Sequence, residues 1–281
     1  MSKKVNQIVL NFILTNILTY FVIGLVCYLE FKDDNLHFYI FDVGQGDSIM
    51  IKTPSREYIL IDGGPDNSVV YKLGKFLPFY KRQIDFVILT HADKDHIAGL
   101  VEVLRRYNVQ YVITTNFIHT SSYFRQWQQE LSDTTVLIVD EPKQMSLGGV
   151  KFYFIHPLNN DPDSSVNNGS VVFKLEYKNL SALFTGDFEN EESFLDSSSF
   201  DLKSDFLKVG HHGAKNANNY EFLAAVNPKV VAISSGRNNK FGHPHPETIS
   251  GLEMLYAEVF RTDLLGDLHF VASETSFKYQ P

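Results

Sequence analysis

Ile8 to Leu29, IVLNFILTNILTYFVIGLVCYL, runs for 22 residues without a charge. As a helix rising about 1.5 Å per residue, it is long enough to cross a bilayer core of roughly 30 Å. The alternatives are a buried core helix and a cleaved signal peptide. No small-x-small cleavage site follows, and the branched Val26 makes Gly24-Leu25-Val26-Cys27 a poor lipoprotein site. The run is read as an uncleaved anchor (8–29) between a short terminus (1–7) and one large domain (30–281). Lys3 and Lys4 precede it, and Asp33 and Asp34 follow. The positive-inside rule then leaves the N-terminus cytoplasmic and the domain outside, in a single-pass protein of the cell membrane. Asn11, Thr15 and Thr19, with Asn16 beside them, draw a polar stripe along the helix. It is read as a marginal anchor in preference to a helix-pairing face, because no small-xxx-small pattern accompanies it.

The remainder is globular in composition: over all 281 residues, 44% are apolar and 21% charged. A formal net charge of −8 excludes a surface that is basic all over, as broad nucleic-acid binding requires, but permits a local basic patch. Lys208, Lys215, Arg237 and Lys240 are the candidates for a cationic rim. With Cys27 the only cysteine, neither an internal disulfide framework nor a multi-cysteine zinc module can form. Any metal must be held by histidine and carboxylate.

Beyond the anchor, HFYIFDV (37–43), DSIMIKT (47–53) and EYILIDGG (57–64) read as antiparallel strands turning at Gly44-Gln45-Gly46 and Pro54-Ser55-Arg56. A helical pattern starts at Val69. A strand at 84–90 leads into HADKDH (91–96), and IAGLVEVLRRY (97–107) has helical spacing. Further strands are expected at 109–113, 135–139, 150–156, 170–177, 180–185, 205–209, 229–234 and 267–272. Helices are expected near 122–131, 219–225 and 246–258. Asn159 to Gly169 is polar enough for a mobile loop, and neither internal repeat nor low-complexity segment is evident. Hairpins with interspersed helices suggest two sheets covered by helices.

HADKDH places four ligand-type side chains in six positions at the end of a buried strand. Alternate residues of such a loop point in opposite directions, so His91 and Asp93 can share one target while Asp95 and His96 face another. Two ions about 3.5–4 Å apart can activate a bridging hydroxide and stabilise both attacking and leaving oxygens in hydrolysis. Asp95 also sits where the cap of the following helix belongs. Further ligands are available at later strand ends: Asp187 in LFTGD, and His211 and His212 in LKVGHHG. His156, after FYFI, and His243, in FGHPHPE, are other strand-end or loop histidines. Asp187 alone would be read as a turn former; it is the joint pattern that is specific.

HADKDH resembles the HxHxDH signature of metallo-β-lactamase-fold hydrolases, with Asp93 in place of the middle histidine. In order, DVGQGDS (42–48), ILIDGG (59–64), LTHADKDHIAGL (89–100), Asn168-Gly-Ser-Val-Val172, FTGD (184–187), KVGHHGAK (208–215) and FGHP (241–244) resemble the extracytoplasmic hydrolase domain of the ComEC DNA-uptake proteins. The resemblance spans about residues 36–275. It implies an α/β fold, an αββα sandwich with a two-metal site at one edge between the sheets. It also implies one metal on His91, Asp93 and Asp187, and another on Asp95, His96, Asp187 and His212. His212 is favoured over His211, which would then stand behind the ligands. Asp95 and Asp187 are the expected catalytic carboxylates, and Asp62 the group that orients a ligand. Asn168, Ser170 and His243 are expected to approach substrate phosphate. The chain departs from the pattern at Ala214, where a serine usually follows HHG, and at Phe241, where the family has tyrosine. One anchor, moreover, cannot form a DNA channel.

Exchanging an imidazole for the Asp93 carboxylate hardens the first site and shifts preference from zinc towards Mn²⁺ or Mg²⁺. The chain is therefore read as a membrane-anchored metal-dependent hydrolase with two divalent ions, a phosphodiesterase or nuclease whose substrate is DNA or another phosphodiester. The alternatives are a hydrolase of small esters, thioesters or lactones, and a non-catalytic DNA-binding subunit partnered with a membrane channel. In DVGQGDS, Gly44 and Gly46 begin like a dinucleotide loop, but position 49 is Ile instead of a third glycine, so the segment is read as a tight strand turn.

Overall fold

Fifteen strands form among the described residues of the computed structural model, which are 3–78, 80–116, 119–132, 134–157, 165–195 and 200–281. The strands of one sheet are β1 (His37–Ile40), β2 (Ile49–Lys52), β3 (Tyr58–Ile61), β4 (Gln83–Ile88), β5 (Asn108–Thr114), β6 (Thr135–Ile138), β14 (Leu268–Ala272) and β15 (Phe277–Gln280). Those of the other are β7 (Lys143–Leu147), β8 (Val150–His156), β9 (Val172–Tyr177), β10 (Leu180–Phe184), β11 (Phe206–Lys208), β12 (Val230–Ile233) and β13 (Glu258–Arg261). The eight-stranded sheet is ordered β15-β14-β1-β2-β3-β4-β5-β6 and the seven-stranded sheet β13-β12-β11-β10-β9-β8-β7. Neighbours are antiparallel from β15 to β3 and from β7 to β10. They are parallel from β3 to β6 and from β10 to β13. The 37–64 segment is thus the expected antiparallel meander.

Helices fill the crossovers that parallel neighbours require. On the first sheet these are α2 (Ser68–Phe76), α3 (Lys94–Arg106) and α4 (Ser122–Glu130); on the second, α5 (Glu192–Leu195), α6 (Tyr220–Val226) and α7 (Pro246–Met254). A single turn, α8 (Thr262–Leu265), follows β13. Phe38, Phe152, Phe173, Phe184, Phe206 and Phe270 from both sheets meet in the central layer. Leu60, Val87 and Val112 pack outward against Val69, Leu73, Ile97, Leu100 and Trp127, and Leu207 and Val231 against Phe222 and Leu252. The result is an αββα sandwich, as expected.

Several elements differ from the reading of the chain, the short helices α5 and α8 among them. β7, β13 and β15 were not expected, and the helix expected over 246–258 stops at Met254, with Glu258–Arg261 turning into a strand. α3 starts at Lys94 with Asp93 as its N-cap, so Asp95 lies in the first turn instead of capping it. Of the polar segment Asn159 to Gly169, residues 159–164 lie outside the described residues, and Asn167–Gly169 form a 3₁₀ turn.

Leu36–Pro281 is one compact unit and Met1–Asn35 another. In the latter, α1 (Lys3–Lys32) contains a stretch, Val5–Val26, long and apolar enough to cross a membrane, and none of it is buried inside the protein. Its polar groups are occupied within the helix. Thr15 and Thr19 Oγ1 donate to the Asn11 and Thr15 carbonyls, and Asn16 Nδ2 donates to the Phe12 carbonyl. These side-chain bonds of the stripe close within the helix itself.

Candidate metal centre

The parallel strands of both sheets end at one rim, and the ionisable groups sit on the loops that leave them. Asp62 follows β3, His91 follows β4, Asp187 follows β10, and His211 and His212 follow β11. α3 contributes Asp95 and His96 from its first turn. Two close approaches hold that turn in place. A Cβ on Gly99 would lie 2.0 Å from the Gly63 carbonyl oxygen, and one on Gly46 2.3 Å from that of Asp95. Asp62, His211 and His212 all adopt left-handed backbone (φ 54°, 44° and 54°), which costs a non-glycine residue about 1–3 kcal/mol and is typical of functional sites.

Asp187 is the hub. Its Oδ2 lies 3.3 Å from His96 Nε2, 3.4 Å from His212 Nε2, 3.8 Å from His211 Nε2 and 4.0 Å from His91 Nε2. His91, His96, Asp187 and His212 are all buried. The rings are aimed from behind: His96 Nδ1 faces Asp62 Oδ2 at 2.8 Å, and His212 Nδ1 faces the Ser234 carbonyl at 3.0 Å and Asp47 Oδ1 at 3.3 Å. Asp62 also accepts the N–H and hydroxyl of Thr90. A donor N–H at Nδ1 leaves Nε2 of each histidine as the nitrogen that could coordinate a metal.

Four groupings converge among the described residues: His91 with His96 and Asp187, Asp95 with His96 and His212, Asp47 with Asp187 and His212, and Asp47 with Asp62 and His96. His91 Nε2 and Asp187 Oδ1 are buried without a hydrogen-bond partner among the described residues, as expected of atoms shaped for a cation. The electrostatics agree. Burial acts to lower His212, yet Asp187, Asp47 and Asp95 pull it up to about 10. His96 is likewise raised well above its usual range by Asp187 and Asp62 against the effect of burial. Asp187, despite burial, is held well below the carboxylate range by His212, His96 and His91. The imidazolium protons stand where a divalent cation's charge fits, and the donor set suits two ions. His91, by contrast, falls to about 4 through burial and repulsion from His96.

The remaining candidates lie further out. Asp93 is 42% exposed, with its Oδ2 3.9 Å from His91 Nε2, and none of the convergent groupings includes it. His119, not anticipated, stands beside it, Nε2 3.8 Å from Asp93 Oδ1. His211 Nδ1 lies 2.8 Å from Glu189 Oε1. Asn168 Oδ1 accepts the N–H groups of Glu189 and Asn190, and His243 Nδ1 lies 3.4 Å from Gln45 Nε2. Ser170, expected at the substrate, is fully buried, and its Oγ accepts the Asp187 N–H, so it holds the hub. His156 donates to the Ser170 carbonyl and packs on Phe188, outside the groupings. His245 Nδ1 accepts the Lys215 N–H. Lys208, expected on a cationic rim, is buried in an ion pair with Asp47 (Nζ to Oδ2, 2.6 Å). Asp47 is the residue the sequence reading missed. DVGQGDS offered a carboxylate directly after its turn, but nothing local to it indicates a partner at Lys208 or His212.

This fold, with buried histidine and carboxylate ligands at the sandwich rim, is that of a metal-dependent hydrolase, and the chain belongs to the metallo-β-lactamase superfamily, whose model matches residues 41–237. Among curated proteins it is similar to ComE operon protein 3 of Bacillus subtilis, with 32% identity over 251 residues, 82% of this chain and 32% of that protein. It is also similar to Competence protein ComA of Neisseria gonorrhoeae, with 28% identity over 247 residues, 86% of this chain and 33% of that one. The chain spans about a third of the length of these relatives. Among solved structures, CmlA, a diiron β-hydroxylase from Streptomyces venezuelae, superposes with a TM-score of 0.53 at 14% identity, over 85% of this chain and 54% of that one. At that identity the likeness concerns the fold alone.

Proposed function

We propose that the chain is a membrane-anchored two-metal phosphodiesterase acting on DNA, its domain outside the membrane. The observation that carries this reading is the convergence of His91, His96 and His212 on Asp187, with Asp95 beside His96 and His212, and with His91 Nε2, His96 Nε2 and Asp187 Oδ1 buried and unpartnered among the described residues. His91, Asp93 and Asp187 would hold one ion, and Asp95, His96, Asp187 and His212 the other. When bound, two divalent cations would supply a water of lowered pKa and charge stabilisation for an attacked phosphoryl group. The chain's own residues orient and exclude. Asp62 and Asp47 fix the rings of His96 and His212, and Ser170 fixes the backbone of Asp187. Asp93 presents a hard oxygen donor at the open edge, which favours Mn²⁺ or Mg²⁺ over Zn²⁺. His211, His243 and Asn168 line the approach, where phosphate oxygens meet donors. The competence proteins among the relatives support DNA as the substrate, and α1 supports the anchor.

The test is cleavage by the detergent-solubilised chain of single-stranded DNA, double-stranded DNA and a small phosphodiester, each with Mn²⁺, Mg²⁺ or Zn²⁺. Manganese-stimulated cleavage that falls at least about 100-fold in Asp187→Ala is expected. Tight zinc with turnover of thioesters or lactones, and none of phosphodiesters, would sink the reading.

A further inference from the structure

The loop of residues 236–244 shows an exposed aromatic ring beside the centre on a backbone fixed by one side chain. Asn239 Oδ1 accepts the N–H groups of Phe241 (3.1 Å) and His243 (3.0 Å), and its Nδ2 donates to the carbonyls of Gly236 (2.9 Å) and His243 (2.6 Å). Gly236 N–H donates to Gln45 Oε1, which ties the loop to the turn after β1. A loop wound around one amide does not collapse to bury its apolar side chain, and Phe241 remains 52% exposed. Its ring lies nearly parallel to that of His243, at 5.7 Å and 25°. His243 in turn is 5.5 Å from the ring of His211 and 6.3 Å from that of His212. Lys240 Nζ stands 5.0 Å over the Phe241 ring.

We propose that Phe241 is a stacking platform for a base of single-stranded nucleic acid whose neighbouring phosphodiester lies at the metal centre, with Lys240 moving from the ring to a backbone phosphate. Every base has a π face, so a single aromatic ring binds strands without reading sequence, and lysines track the backbone. In a duplex both faces of each base are already covered, so only an unpaired strand offers one. A small ester offers neither the face nor the adjacent charge. At the Asp93 edge of the cluster the same pairing recurs: Lys94, between Asp93 and Asp95, holds its Nζ 5.5 Å over the ring of Tyr123. Cation and ring are therefore present at two edges of the ligand cluster, in a chain whose overall charge is negative. This assignment rests on the phosphodiester reading and adds the form of the substrate.

Phe241→Trp in the full chain provides the test, because the one native tryptophan, Trp127, is buried and gives a constant background. With metal chelated so that nothing is cut, a mixed-sequence single strand should quench the new indole saturably, whereas a strand of abasic sites and a duplex should not. Phe241→Ala should weaken binding of the base-bearing strand about 5- to 100-fold and leave the abasic strand unchanged. Absence of quenching, or an equal loss on both strands, overturns the platform. Quenching without cleavage of any phosphodiester under any metal retains the platform and overturns the phosphodiesterase.

Discussion

Lys208 and Asp47, 161 positions apart, form the buried ion pair at the base of the centre. Removing one partner leaves the other charged in a dry interior, so Lys208→Met should lower stability by about 3–5 kcal/mol in urea denaturation. Adding Asp47→Leu should restore most of that stability while metal affinity stays reduced, because His212 Nδ1 has then lost a neighbour at 3.3 Å. Asp62→Asn should cost about 10- to 100-fold in metal affinity by calorimetric titration, with the fold retained. Both residues also show what the sequence makes legible. Asp62 and the HADKDH ligands announce themselves at strand ends, where a carboxylate or imidazole has few structural reasons to be. Lys208 reads as a surface cation, because its partner lies 161 positions away in the loop before β2, and Ser170 reads as a substrate contact, because burial has no local signature.

At the scale of elements, the position of α3 depends on Gly99 meeting Gly63. Alanine ordinarily favours a helix over glycine by about 1 kcal/mol, but here its Cβ would lie 2.0 Å from a backbone oxygen. Gly99→Ala should therefore destabilise by about 1–3 kcal/mol on thermal melting and displace Asp95 and His96, with a matching loss of metal affinity. Glu191 joins the loop after Asp187 to the start of α6 by accepting the Asn219 N–H. Burial pushes its carboxyl up to about 9 from an ordinary 4.5. The folded state thus keeps a proton that the unfolded chain releases. Its stabilising contribution is complete below pH 4.5 and is lost as pH rises towards 9. Glu191→Gln should melt like the native chain at pH 4 and progressively higher than it from pH 6 to 9. Central strands such as YILI and QIDFVI were legible because they are buried on both faces. KQMSL and FKYQ were not, since these half-exposed edge strands alternate with polar residues and look like loops. The helix expected over 246–258 overran into Glu258, the first residue of EVFR; Tyr256, at φ 57°, lies in the break between helix and strand.

For the whole molecule, the division at residue 35 makes a separable prediction. The full chain should sediment with membranes and resist alkaline carbonate, whereas residues 36–281 should be soluble and melt at an unchanged temperature; carbonate extraction with a melting curve checks both. The two sheets each pass from antiparallel to parallel pairing at one strand, β3 in the first and β10 in the second. Each places its candidate site residues just beyond that change: His91 and Asp62, which aims the His96 ring, on one, Asp187 and His212 on the other. No repeat is visible in the sequence, yet the halves mirror one another in construction, and neither holds a complete ligand set. Tight coordination can therefore arise only once the halves have closed face to face, so metal uptake during refolding times the last stage of assembly, and a chelator should slow nothing that precedes it.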